Sequence, residues 1–195
     1  MSIPEHRLSS EPVIGKMLYP DDLVPSATRD YEMGGIALSD PSRGLQYQPW
    51  EFWLVPPNEV RCKPLNDSGD GIPLIATTGE ITSISGTFDR NMRPCVAYLE
   101  QGTAKLWGYD SVPAMMVVTA FPGATQPRVT HDDKRDGSAA TSDIILAYIR
   151  DGSLYTREQR DRFTIEYLMA TDLDGMQLKN FGMTNRLRLQ FEIGR

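Results

Sequence analysis

The chain has 195 residues, 40% hydrophobic and 24% charged, a length and composition that allow one sizeable domain or two small ones with a real core. Its formal net charge is −6, and the acidity is concentrated in residues 1–94, which hold 8 Lys and Arg against 13 Asp and Glu. Without a basic stripe to grip a phosphate backbone, no direct nucleic-acid ligand is expected. Nor is a membrane span, because the most apolar window, Val112–Phe121, is about half as long as the roughly 20 residues a span needs.

Residues 1–50 read as a loop-rich N-terminal arm and docking segment. Its opening, MSIPEHRLSS, lacks the charged and apolar regions of a secretory signal. Glu11–Gly35 carries three prolines, no sustained helical period and a closing Gly-Gly. Gly35–Trp50 (GIALSDPSRGLQYQPW) then predicts a strand, a turn over Ser39–Gly44 and a second strand.

From Glu51 the texture becomes that of a β-rich repeat domain, residues 51–195. Glu51–Val55 and Glu59–Lys63 predict two strands around Pro56-Pro57-Asn58, and Ile81–Phe88 alternates apolar and small polar residues with period two. Val96–Leu99 and Ala104–Tyr109 flank Glu100-Gln101-Gly102 as a hairpin, and Met115–Phe121 is the next strand. Ile144–Ile149 and Ser153–Arg157 flank Arg150-Asp151-Gly152, and strands are predicted again over Phe163–Met169 and Leu187–Ile193. Cys62 and Cys95 fit neither a disulfide framework nor a zinc pattern and read as free thiols.

Two stretches are nearly the same sentence: CVAYLEQGTAKLWGY at Cys95–Tyr109 and ILAYIRDGSLYTREQ at Ile145–Gln159, with Tyr98 and Tyr148 50 positions apart. A weaker echo surrounds Trp53, and a truncated one closes the chain at LRLQFEIGR. A period of about 45–50 residues with four short strands predicts an all-β fold, either propeller-like or a sandwich, built of repeated four-stranded units. The physical reason is that one such unit cannot cover its own faces and must be stacked on copies.

Motifs for chemistry are sparse. His131 precedes two acids, but no Gly-x-Ser-x-Gly elbow presents a nucleophile, and His6 lies in the arm. Three acidic turns, Asn66–Gly71, Asp132–Gly137 and Thr171–Gly175, invite calcium, yet the first has Thr77 where an EF-hand needs a bidentate Glu. In IRDGSLYTREQRDRF the charges of Arg150, Arg157, Arg160 and Arg162 are balanced by Asp151, Glu158, Asp161 and Glu166, which predicts ion pairs within the chain or across a subunit boundary and not phosphate binding. Glu158, Asp161 and Glu166 with Tyr155 and Tyr167 supply the residue types of a glycosidase, and equally those of a polar strand face. A sialidase-like hydrolase would need clustered arginines facing a pocket with a Tyr and a Glu. No catalytic, metal or cofactor residue is assigned. The candidate interface residues are Trp50, Trp53, Trp107, Arg157, Arg160 and Arg162, because aromatic and Arg side chains anchor protein contacts.

The runs GIALSDPSRGLQYQPW, FDRNMRPCVAY, IILAYIRDGSLYTREQRDRF and GMTNRLRLQFEI resemble small virion proteins of tailed bacteriophages, encoded among the tail genes. The resemblance covers about residues 35–195 and is most specific over Asp143–Phe163. It implies a non-enzymatic structural part of the tail, in a hub or nozzle, baseplate or fibre-attachment region, made in the host bacterial cytoplasm. Expected partners are other virion proteins and further copies of the chain in a symmetric ring. The alternative is a glycan-binding module that recognises host sugar through Trp and Tyr loops.

Overall fold

The computed structural model describes residues 15–16, 31–32, 36–39, 46–64, 67–89, 93–131, 144–183 and 189–195. Among them the regular structure is β apart from one 3₁₀ turn, Gln159–Asp161. In chain order the strands are β1 (Gly15–Lys16), β2 (Tyr31–Glu32), β3 (Ile36–Ser39), β4 (Gln46–Val55), β5 (Glu59–Pro64), β6 (Ile72–Ala76), β7 (Ile81–Phe88) and β8 (Pro94–Glu100). They continue as β9 (Thr103–Asp110), β10 (Met115–Phe121), β11 (Thr125–His131), β12 (Ile144–Arg150), β13 (Ser153–Glu158), β14 (Tyr167–Ala170), β15 (Gln177–Met183) and β16 (Leu189–Gly194).

These strands form four sheets. The first is β2-β4-β5-β6 with β3 also on β4, the second β7-β8-β9-β10, the third β11-β12-β13-β14, and the fourth β1-β15-β16. Pairing is antiparallel throughout except for β1, which runs parallel to β15. The described strands close into neither a barrel nor a propeller.

The sheets stack in sequence order through three apolar seams, and side-chain parity shows how. On β8, Val96 and Tyr98 face the first sheet, meeting Phe52, Val60 and Cys62, while Cys95 and Ala97 on the opposite side join Ile144, Leu146 and Tyr148 of the third sheet. On β12, Ile145, Ala147 and Ile149 turn the other way, to Leu178 and Phe181 of the fourth. A strand covered on both faces has no polar face to show, so β8 and β12 are near-continuous apolar runs. This is the physical meaning of the repeated sequence: Tyr98 and Tyr148 are both fully buried, each on the second strand of its sheet and each facing the preceding sheet.

The repeat extends to the turns. Glu100 pairs with Thr103 around Gln101 (φ 47°) and Gly102 (φ 76°); Arg150 pairs with Ser153 around Asp151 (φ 49°) and Gly152 (φ 66°). Two successive left-handed residues make the tight hairpin that matches strand twist. A different constraint holds at Gly86 on β7: a Cβ there would lie 2.3 Å from Cγ of Phe52, so the first seam closes only because the position carries no side chain.

Three expectations need correction. Phe163–Met169 is not one strand: Arg162 and Phe163 are both left-handed, at φ 51° and 56°, and β14 begins only at Tyr167. The left-handed pair turns Phe163 back into the second seam, which extended backbone would not allow. The strands β6, β11 and β15 form where the sequence pattern predicts none. Finally, β4 runs continuously across the boundary drawn at residue 50, and β1, β2 and β3 of the arm pair with later strands. The remainder of the arm, the predicted turn at 40–44 and His6 lie outside the described residues.

Candidate functional site

The densest polar constellation sits where the second seam opens at the side of the third sheet. It starts with Tyr148. Its ring is fully buried in the seam, with centroids 5.7 Å from Phe121 and 6.1 Å from Tyr155. Its hydroxyl reaches the rim, where it donates to Oε1 of Glu166 and accepts from Nε of Arg157 at 2.8 Å. Arg157 also donates through Nη1 to the carbonyls of Phe163 (2.7 Å) and Thr164 (3.1 Å), and pairs through Nη2 with Glu166 at 3.3 Å. Arg150 takes the other oxygen of Glu166. The two guanidinium groups lie over aromatic rings, Arg150 on Tyr155 at 5.0 Å and Arg157 on Phe121 at 5.3 Å.

The backbone delivers Glu166 to this hub by the unusual path already described. The 3₁₀ turn closes with the amides of Arg162 and Phe163 donating to the carbonyls of Gln159 (2.8 Å) and Glu158 (2.9 Å). The same bend throws the Arg162 side chain onto the neighbouring sheet, where it grips Asp110 through two bonds of 3.0 and 2.7 Å and the carbonyl of Val112 at 2.8 Å. The segment 159–166 is therefore fastened at one point to its own sheet and at another to the one before it.

Electrostatics follow from the geometry. Burial works against a charge on Glu166, but the Tyr148 hydroxyl, Arg150 and Arg157 outweigh it and hold its carboxyl below the usual range. Burial, with Glu166 accepting its proton, pushes the Tyr148 hydroxyl up to about 12. Arg162 holds Asp110 low. At the position equivalent to Arg150, β8 carries Glu100, a carboxylate kept low first by Lys105 at 2.6 Å and also by the amide of Gly79 at 3.1 Å. The same place in two repeats thus bears opposite charges, and each ties its strand to an adjoining connection.

A Tyr, a Glu and two arginines are the groups a sialidase-like centre requires. Here the Tyr is fully buried and held protonated, and both carboxylate oxygens are engaged by the chain's own side chains. What this arrangement does chemically is fix a loop. Members of the glycosidase set are likewise engaged within the chain: Glu158 pairs with Arg160 at 2.6 Å, and Asp161 accepts from Tyr167 at 2.7 Å.

Of the candidate interface residues, Trp50 and Trp107 are half-buried against the first seam, Trp50 with its ring 5.0 Å from Phe88. Trp53 is half-buried on the other side of β4, beneath Lys63. Arg157 is enclosed in the hub, whereas the side chains of Arg160 and Arg162 are 46% and 51% exposed. Sequence reasoning missed the residues that join the sheets: Arg128 donates to Ser83 Oγ (2.8 Å) and the Lys179 carbonyl (3.3 Å), Ser85 Oγ accepts from the amide of Val129 (3.0 Å), and Gln126 Oε1 from that of Leu178 (2.7 Å). Isolated Ser and Gln in strands give no signal for this, since only the neighbouring sheet supplies the partner.

Asp67 accepts from the amide of Gly69 at 2.9 Å, a turn-forming use of the acid in the first of the acidic turns. Asn66, the segment 132–137 and the His131 side chain lie outside the described residues. Among the described residues no group of His, Cys, Asp or Glu is gathered as metal ligands, and no helix is long and apolar enough to cross a membrane. Comparison with protein-family models, curated proteins and solved structures finds no match for this chain.

Proposed function

We propose that this chain is a non-enzymatic structural component of a tailed-bacteriophage virion, made in the bacterial cytoplasm and built into the tail in a hub or nozzle, baseplate or fibre-attachment region. It acts by protein–protein assembly. The observation that supports this reading is that Arg150 and Arg157 are engaged by Glu166 within the third sheet and Arg162 by Asp110 across to the second, while exposed large apolar side chains lie on or beside the edge strands. Rigid internal pinning with apolar surface at the margin suits a part that is docked and stays docked.

The stack is an open, propeller-like array in this reading. The first strands β7 and β11 lie against each other, β11 also lies against β15, and the fourth strands β10 and β14 are at the outer margin. The glycan-binding alternative calls for aromatic rings displayed on loops, whereas Trp50, Trp53 and Trp107 are all half-buried on strands. The test is mass spectrometry and immunogold labelling of purified particles of the phage that encodes the chain. Stoichiometric amounts with label at the tail are expected; absence from the particles would overturn the reading.

A further inference from the structure

The connection from β13 to β14, residues 159–166, is held differently from the strands it joins. None of its residues is buried and Ile165 stands 49% exposed, so the Phe163 ring against the second seam is what it gives to the apolar core. Its backbone is strained at Arg162 and Phe163, whose left-handed conformations are unfavourable for bulky side chains. The amides of Arg162, Phe163 and Thr164 close a short turn onto the carbonyls of Gln159, Glu158 and Asp161, and a single turn does not persist once detached. A segment with so little buried apolar contact opens more easily than the strands beside it.

Charge holds it in place. Arg162 grips Asp110 of the second sheet, while Glu166 is met by Tyr148 and Arg150 from β12 and by Arg157 from β13. Arg157 in turn holds the carbonyls of Phe163 and Thr164. Two neutral acceptors add to these, Gln159 Oε1 for the amide of Ile144 at 3.3 Å and the Val112 carbonyl for Arg162. The neighbouring acids Glu158 and Asp161 bond to Arg160 and Tyr167, contacts that stay within the connection and its flanking strands. Two guanidinium groups thus converge on one carboxylate. With Glu166 neutral, Arg150 and Arg157 would face each other without the anion between them, and the closed position would be disfavoured.

We propose that residues 159–166 are an acid-released strap, closed over the rim of the second seam at neutral pH and opening as one unit, with the sheets intact, when Glu166 and Asp110 take up protons. Each carboxylate meets its cations only while the strap is closed, so protons bind more readily in the open form and acid drives opening. In the closed form both are accordingly held below the usual carboxylate range. Closure is fully supported above their ordinary values and lost as pH falls through the lowered ones. Opening withdraws the Phe163 ring but leaves the register of β12 on β13 and the buried residues of all three seams in place. The device requires no virion partner and stands apart from the proposed function.

Amide exchange of the full chain, followed from about pH 7 to about pH 3 and corrected for the intrinsic pH dependence of exchange, tests this. The amides of Arg162, Phe163 and Thr164 should lose protection at least about ten-fold in acid while those of β8 and β12 keep theirs. Removing the charges should reproduce the acid state at neutral pH. Glu166→Gln should speed exchange in the strap about ten- to thirty-fold, and Asp110→Asn, whose partner Arg162 is 51% exposed, about two- to five-fold. With both substitutions the strap should no longer respond to acid. Glu59→Gln, which breaks the pair with Arg61 on the first sheet, should leave the strap unchanged. The wild-type series does not depend on any variant folding. Strap amides that lose protection only together with β8 and β12, single variants that exchange as slowly as wild type, or a double variant that still opens in acid would each overturn the proposal.

Discussion

Replacing Glu166 by Gln removes one charge from the centre of the hub and keeps its shape. The side chains of Glu166, Arg150 and Arg157 are 20%, 29% and 18% exposed, so the pairs are neither free in solvent nor sealed from it. Exposed pairs contribute about 0–1 kcal/mol, and breaking a fully buried one costs about 3–5 kcal/mol. A loss of about 2 kcal/mol is expected for this intermediate case. In a chain of this size that lowers Tm by roughly 4–8 °C. The loss also has a pH signature. Glu166 titrates in the folded protein below its usual value of 4.5, so its contribution is fully present above about that pH and disappears as pH falls through the folded value. Urea titrations followed by circular dichroism at neutral pH and at several acid values, for wild type and Glu166→Gln, should show a gap that is constant down to about pH 5 and then closes. A gap within about 0.5 kcal/mol of zero at neutral pH, as for an ordinary surface change, would refute the reasoning, as would a gap that widens in acid.

Tyr148→Phe keeps the buried ring and removes only the hydroxyl shared by Glu166 and Arg157, and urea midpoints should show a loss of about 1–2 kcal/mol. Gly86→Ala forces a methyl onto the Phe52 ring and should cost about 1–3 kcal/mol, a loss that shrinks in a Phe52→Leu background in a double-mutant cycle. Gly102→Ala and Gly152→Ala occupy the same left-handed turn position and should each lower stability by about 1–2 kcal/mol. The near-equality holds although a Cβ at Gly152 would meet Asp174 Oδ1 at 2.2 Å, because that exposed carboxylate can turn aside; thermal melts showing a far larger loss at Gly152 would mean Asp174 is fixed. Burial pushes the Cys62 thiol up to about 11, and burial with the charge of Asp89 pushes Cys95 higher still. The native protein at pH 8 should therefore resist a thiol reagent that titrates two thiols after denaturation, read by absorbance.

Strands with local signals were legible from sequence. The hairpins at Gln101-Gly102 and Asp151-Gly152 announce themselves through Gly at a turn between apolar runs, and their structures agree in detail. The charge balance of Arg150–Glu166 was also readable as ion pairing. Which ions pair was not, because Glu166 reaches Arg150 and Arg157 only through the left-handed backbone of Arg162 and Phe163, residue types that favour no such conformation by themselves. The strand predicted from Phe163 failed for the same reason: an apolar residue at the start of an apolar run reads as strand, and only the second seam makes it more favourable for Phe163 to fold back.

By itself the sequence determined the β class, the tight turns and the repetition, since alternation, Gly placement and a 50-residue echo are properties of the chain taken locally. Tertiary structure decided what each of these is for. Whether an apolar strand is covered on one face or two, whether an arginine meets a carboxylate of its own sheet or of the next, and which edges are left bare all depend on the order in which sheets stack. That order is set by surface burial summed over whole sheets, a non-local quantity that no short stretch of residues contains.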